Sequence, residues 1–459
     1  LKRRALLLAV ALWACAKPVK TPILFERCVL AAPGQALRLT AECATLQVPF
    51  APSSERKIPL FVARFSASGG TPHTDPIVIV PGGPGQSATE SFFGIQGAFM
   101  EANAKRDILL IDPRGTGRSH PLECKSASRD ALLRADSDAP PTALISKCRG
   151  DMSDDPTAFT TEQLAKDLDA VRAQLGYEQW NLYGVSYGSR LSLAYLRQFP
   201  QHVRTLVLDG VAPPQTIIGS NSAEVAERAL ALVSARGAPD FEANLLALKL
   251  PRVVEIAHPR TGKRINVRLS KGAVRELVHM SLYMPEILAP LPRLVKNAVE
   301  REDYAPLASL LELQRGGALA SVNPWLNLAV LCHEDAPFLT TQTPGPFFAA
   351  SELQATCAAF NVGKVDPQFH DPVRSDKPVL LLSGEADPVT PPANAEAARA
   401  TLPKSKHIVL KGQGHNVAAR GCLHHVIARF IESADPIGLD ATCTDKVRPF
   451  ALFQTETGP

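Results

Sequence analysis

The pentapeptide Gly184-Val185-Ser186-Tyr187-Gly188 constrains this chain more than any other segment. It follows a strand-like run, Trp180-Asn181-Leu182-Tyr183, and precedes a helix-like one, Arg190-Leu191-Ser192-Leu193-Ala194-Tyr195-Leu196. A serine flanked by glycines at a strand-to-helix junction marks a tight, strained turn. A Cβ at either glycine would meet neighbouring backbone, so only glycine fits there. The turn lifts Ser186 Oγ clear of the sheet and opens a helix whose first amides face the same space. Such a turn requires a sheet beneath it and covering helices, and it presents a nucleophile.

Two later segments supply the partners that a serine nucleophile needs. Pro378-Val379-Leu380-Leu381-Leu382-Ser383-Gly384-Glu385-Ala386-Asp387 is a buried-type strand running into a turn that ends in an acid. His407-Ile408-Val409-Leu410-Lys411-Gly412-Gln413-Gly414-His415 is another strand, closed by a glycine-rich turn that presents an imidazole. The order Ser, Asp, His is that of the α/β-hydrolase triad. His415 is then expected to take the Ser186 proton, and Asp387 to fix the imidazole tautomer. Taken singly, a loop aspartate and a turn histidine would be ordinary surface residues. Ordered at strand ends, they read as catalytic.

An oxyanion hole completes the set. Ile77-Val78-Ile79-Val80 reads as a fully buried strand entering Pro81-Gly82-Gly83-Pro84-Gly85. Fold logic asks for one amide from the residue after the nucleophile, Tyr187, and one from a loop after an early strand, for which Gly83 is the candidate. A phosphate-binding loop is excluded because no Lys-Ser/Thr follows the glycines, and the spacing does not match a dinucleotide fingerprint.

Strands alternating with helices predict a mostly parallel sheet covered by helices on both faces. Residues 39–49 and 58–65 read as antiparallel strands leading into it, and Val203-Arg204-Thr205-Leu206-Val207-Leu208-Asp209 as a later one. Thr160 opens an expected helix, with Leu164, Leu168, Val171 and Leu175 on one face and Gly176 as its stop. The loop Asp112-Pro113-Arg114-Gly115-Thr116-Gly117-Arg118-Ser119 reads as a brace. Between residues 213 and 372 the pattern turns helical, with candidates at 223–235, 271–283 and 291–300. The expected organisation is a signal segment at 1–16, a first core part at 17–212, a helical cap at 213–372 and a second core part at 373–459.

With 45% apolar and 20% charged residues in 459, the composition is that of a globular protein. The net charge of +4 falls near neutral without Lys2, Arg3 and Arg4, which argues against nucleic acid as a partner. Those cations precede a short apolar run, Ala5-Leu6-Leu7-Leu8-Ala9-Val10-Ala11-Leu12, in the pattern of an export signal too short to span a bilayer. Leu12-Trp13-Ala14-Cys15 resembles a lipoprotein box, which would lipidate Cys15 and attach the protein to a membrane. Ala14-Cys15-Ala16 equally fits an ordinary cleavage site followed by free release. Export to the periplasm, the outer membrane or the medium is the expectation.

Nine cysteines are an odd count for an exported chain, and setting Cys15 aside leaves eight. They fall into sequential pairs: Cys28 with Cys43, Cys124 with Cys148, Cys332 with Cys357, and Cys422 with Cys443. Connectivity stays open at this level, and some could be buried free thiols. No pair has C-x-x-C spacing, so neither a zinc site nor a redox pair is expected, and no metal or cofactor is implied.

These residues resemble the proline iminopeptidase and tripeptidyl aminopeptidase branch of the α/β-hydrolases. The resemblance rests on Gly82-Gly83-Pro84-Gly85, the 112–119 loop, the elbow with Tyr187-Gly188, and Gly384-Glu385-Ala386-Asp387-Pro388-Val389-Thr390-Pro391. The Cys422 and Cys443 tail is similar to the tripeptidyl aminopeptidase type. The resemblance implies a serine exopeptidase acting on peptides with a free N-terminus, whose α-ammonium is held by cap acids. Ala329-Val330-Leu331-Cys332-His333-Glu334-Asp335 resembles that family's apolar-Cys-x-Asp motif, which assigns the amine to Glu334 and Asp335. A carboxylesterase or lipase with the same triad is the runner-up, and a catalytically silent binding module the third reading.

Overall fold

The centre of the sheet is built from strands that bury both faces, which explains their unbroken apolar runs. The computed structural model describes residues 23–459 apart from 53, 129–130, 133–139, 221, 318–320, 341–349, 456 and 459. The expected signal segment at 1–16, with Cys15, lies outside the described residues. The main strands are β1 (Glu26–Leu30), β2 (Leu39–Pro49), β3 (Lys57–Phe65), β4 (Ile77–Val80), β5 (Ile108–Ile111), β6 (Trp180–Val185) and β7 (Val203–Asp209). A hairpin, β8 (Arg252–Ala257) and β9 (Arg264–Leu269), precedes β10 (Val379–Gly384) and β11 (Ser405–Leu410).

Nine strands form one sheet in the order β1-β2-β3-β5-β4-β6-β7-β10-β11. The first three neighbours pair antiparallel and the rest, from β5 to β11, parallel. The chain is an α/β-hydrolase fold. Its order reverses at β4, with β5 on one side and β6 on the other, so the loops after β4 and β6 diverge to opposite faces. A crevice opens at such a switch point, beyond the carboxyl ends of the strands.

Helix Thr161–Leu175 forms as its capping residues require. Thr160 accepts from the Gln163 amide, and Gly176 ends the helix at φ 80°. Strand β1 escaped the sequence reading because it is a largely exposed edge, with Glu26, Arg27 and Val29 in water. The β8–β9 hairpin also departs from the all-helical expectation for 213–372. Its strands alternate half-buried and exposed residues, the pattern of a one-faced sheet and not of a buried run.

The segment between β7 and β10 divides in two by what it packs against. Helices Lys271–Tyr283, Leu291–Arg301 and Ala305–Arg315 share a separate apolar cluster with the hairpin, including Leu277, Val295 and Leu311. Helix Pro324–Glu334 instead joins the cluster of the main sheet through Trp325, Leu326 and Val330. Its sequence is apolar on almost every side, so it is buried on almost every side.

Each of the eight cysteines lies in a disulfide with its neighbour in sequence: Cys28–Cys43, Cys124–Cys148, Cys332–Cys357 and Cys422–Cys443. Four disulfides belong to an oxidising, extracytoplasmic setting. Among the described residues, no helix is long and apolar enough to cross a membrane.

Candidate active site

Ser186 follows β6 with φ 55° and ψ −124°, a conformation that non-glycine residues rarely hold. Its amide donates to Asp209 O on β7 at 2.8 Å, which anchors the turn. The flanking glycines are required by distance. A Cβ on Gly184 would lie 2.4 Å from Gly188 O, and one on Gly188 2.2 Å from Val80 O. The loop after β4 lies against the turn, since a Cβ on Gly82 would come within 3.2 Å of Ser186 Cβ.

Asp387, in the turn after β10, is fully buried and saturated with donors. Its Oδ1 accepts from the amides of Val389 and Thr390 at 2.8 Å each, and its Oδ2 from Thr390 Oγ1 at 2.8 Å. Oδ2 also pairs with His415 Nδ1 at 2.7 Å. That contact makes Nδ1 the protonated nitrogen and leaves Nε2 as the base. The His415 ring lies over Gly210, where a Cβ would sit 3.0 Å from Cε1, next to the Asp209 carbonyl that holds Ser186. Asp387 and His415 thus meet beyond the ends of β10 and β11, and the Ser186 turn is tied through Asp209 on β7 to the residue beside the His415 ring.

Burial lowers the His415 pKa, but the charges of Asp387 and Asp209 and the Asp387 hydrogen bond outweigh it, so the imidazole titrates above 6.5. Since only the neutral ring can accept a proton, kcat/KM is expected to fall as pH drops through that raised value. A profile flat down to pH 6 would contradict this.

Gly83, Ser186 and Tyr187 line one cavity of about 190 Å³, together with Ile217, Ile218, Val225, Leu331 and Thr390. Gly83 stands at φ 106°, open only to glycine. His279 and Tyr283 close the wall from the inserted segment. The Tyr283 ring meets the His415 ring edge-on at 5.0 Å, and Tyr283 O accepts the His415 amide at 2.9 Å. Burial, with the neighbouring His415, pushes His279 down to about 4, which keeps it neutral.

Glu334 and Asp335 lie elsewhere than the amine-binding expectation put them. Both are wholly buried, and neither lines the cavity. Glu334 Oε1 accepts from the Thr161 amide and Oε2 from Thr161 Oγ1, each at 2.6 Å. Asp335 takes both oxygens to Arg190 Nη1 at 2.9 Å and accepts the Ile218 amide at 2.7 Å. The physical reason is the burial of helix Pro324–Glu334, whose C-terminus points its acids into the protein. The 112–119 loop is a brace as read. Asp112 accepts from Thr89 and the Arg118 amide, while Arg114 forks onto Asp167 at 2.6 Å twice.

Sequence reasoning passed over Thr390 and Asp209. Thr390 touches both Asp387 and His415, at 2.8 and 3.1 Å. Asp209 gathers the amides of Val417 and Ala418 just after His415, besides the Tyr183 hydroxyl. A signal for each existed: Thr three residues beyond the acid, and an Asp closing an otherwise apolar strand. Among the described residues no cluster of His, Cys, Asp or Glu is placed to hold a metal.

Residues 75–245 match the family model described as alpha/beta hydrolase fold, and residues 345–443 the one described as TAP-like protein. Serine protease Hip1 of Mycobacterium tuberculosis is 34% identical over 170 residues, covering 34% of this chain and 32% of that protein. Tripeptidyl aminopeptidase of Streptomyces lividans is 31% identical over 191 residues, 38% of this chain and 36% of its own. Proline iminopeptidase of Neisseria gonorrhoeae is 32% identical over 142 residues, 31% and 34% of the two chains. The chain spans about a third of the length of the curated relatives it matches.

Proposed function

The chain belongs to the α/β-hydrolases of the proline iminopeptidase and tripeptidyl aminopeptidase family, and on that premise we propose that it is a serine exopeptidase acting at free peptide N-termini. The observation that carries the reading is Ser186, held at φ 55° in the wall of a cavity beside a histidine whose Nδ1 is tied to a buried aspartate. Ser186 Oγ attacks the scissile carbonyl while His415 Nε2 takes its proton. The amides of Gly83 and Tyr187 receive the developing oxyanion. His415 then returns the proton to the leaving amine, and water, deprotonated by the same ring, releases the acyl group. The segment between β7 and β10 acts as a cap, since Tyr283 reaches down to the His415 loop.

A carboxylesterase is the second reading. It is favoured by a cavity whose described lining is mostly apolar and contains no carboxylate. Chromogenic amides with free and acetylated N-termini, beside a short-chain ester, separate the two. Cleavage only with a free amine is expected. Indifference to acetylation with fast ester turnover would move the assignment to the esterase. Export fits the four disulfides, and a lipid on Cys15 is a further proposal, to be read from the mass of the mature N-terminal peptide.

A further inference from the structure

Three elements meet at Thr161. It is the first residue of helix Thr161–Leu175, and its amide and hydroxyl both donate to Glu334 at the end of helix Pro324–Glu334. Its Oγ1 also lies 2.6 Å from the Tyr187 hydroxyl, on the residue directly after the nucleophile. All three side chains are buried.

The direction of this chain is dictated by proton count. A carboxylate is an acceptor only, so the Thr161 hydroxyl spends its single proton on Glu334. Tyr187 must then donate to Thr161. An uncharged Glu334 frees the Thr161 proton and allows the relay to reverse or break. Next along the chain, Asp335 forks onto Arg190 in the same elbow helix, Tyr187–Gln198. Two consecutive acids therefore grip the helix that carries the oxyanion amide.

We infer that Glu334 is a positioning residue: through Thr161 it holds the Tyr187 ring, and with it the Tyr187 amide, in register with the oxyanion. This rests on the serine-hydrolase reading above and replaces an amine contact with a device acting on the elbow. Burial pushes the Glu334 carboxyl up to about 7, against the pull of Thr161's two donors and Arg190, with Asp335 adding to the rise. The charged groups facing it are Arg190 on the elbow helix and Asp335 beside it. His415 is likewise raised above its ordinary value, and both groups must have lost a proton for full activity.

The test is the rate at which a fluorophosphonate labels Ser186 in the full chain across pH, since that rate needs the oxyanion hole and no particular substrate. The wild type is expected to lose rate on its acid limb with a slope approaching two on a logarithmic plot. Glu334→Gln should label about tenfold more slowly with a slope of one, and turnover should lose kcat with KM within about twofold. Thr161→Val, which keeps the backbone donor, should behave alike, while Thr161→Ser should retain wild-type behaviour. If Glu334→Gln does not fold, the Thr161 pair carries the test. Wild-type rate and slope in the folded variants would overturn the inference. So would a rise in KM confined to free-amine substrates, which would return Glu334 to the substrate. Labelling that persists in Ser186→Ala would sink the nucleophile itself, a separable failure.

Discussion

Ser186→Ala is expected to lower kcat/KM by a factor on the order of 10⁴ to 10⁶ while leaving the protein folded. The residual rate would come from binding and from the amides of Gly83 and Tyr187, which the substitution does not touch. The size of the loss separates a working triad from a silent binding module, for which no loss is expected. Ser186→Gly makes the argument sharper. The serine sits at φ 55°, a conformation costing on the order of 1–3 kcal/mol for a residue with a Cβ, and glycine adopts it freely. The glycine variant should therefore be as inactive as alanine and unfold at a higher temperature than alanine does. Equal thermal midpoints would mean that the turn stores no strain worth removing.

Asp335→Ala is expected to destabilise the fold by about 3–5 kcal/mol, read as a lower urea midpoint under oxidising conditions. Arg190 and Asp335 are both wholly buried, so removing the acid strands a guanidinium with no water to receive it. The backbone at Thr216 and Ile218 loses its anchor too, since Arg190 Nη2 donates to the Thr216 carbonyl and Asp335 accepts the Ile218 amide. Thr216 and Ile218 line the cavity, so activity should fall with stability. The double variant Arg190→Met with Asp335→Ala removes both charges and should recover much of the loss, because a buried pair breaks even against apolar packing far better than half a pair does. A single variant that keeps the wild-type midpoint would show that solvent or another group compensates the arginine. An exposed ion pair such as Lys249–Glu302, by contrast, should be removable with little change in the midpoint, because water screens it.

Ser186, Asp387 and His415 stand out in the sequence as candidates because each is marked by its own few neighbours: glycines around a turn, and a strand that ends in an acid or an imidazole. The same local logic marked β4, β7 and β10, whose apolar runs need burial on both faces. It also found helix Thr161–Leu175, which carries its own cap and stop. The edge strand β1 and the β8–β9 hairpin were hidden for the opposite reason. Half their residues face water, so no buried run announces them, and their pairing is an agreement between distant or weakly patterned segments.

Glu334 and Asp335 show where local pattern ends. As sequence they are two acids at a helix end, and a resemblance gave them a substrate to hold. Their partners, Thr161 at a separation of 173 residues and Arg190 at 145, lie on other helices and share no local pattern with them. Burial of the whole helix Pro324–Glu334 against the main sheet decided that those carboxylates must find donors inside the protein. By itself the sequence determined the strained turn that presents Ser186, the proposed nucleophile, because strain and backbone crowding act over a few bonds. Only the tertiary structure decided which buried charges serve that nucleophile, because the cost of burying a charge depends on everything packed around it.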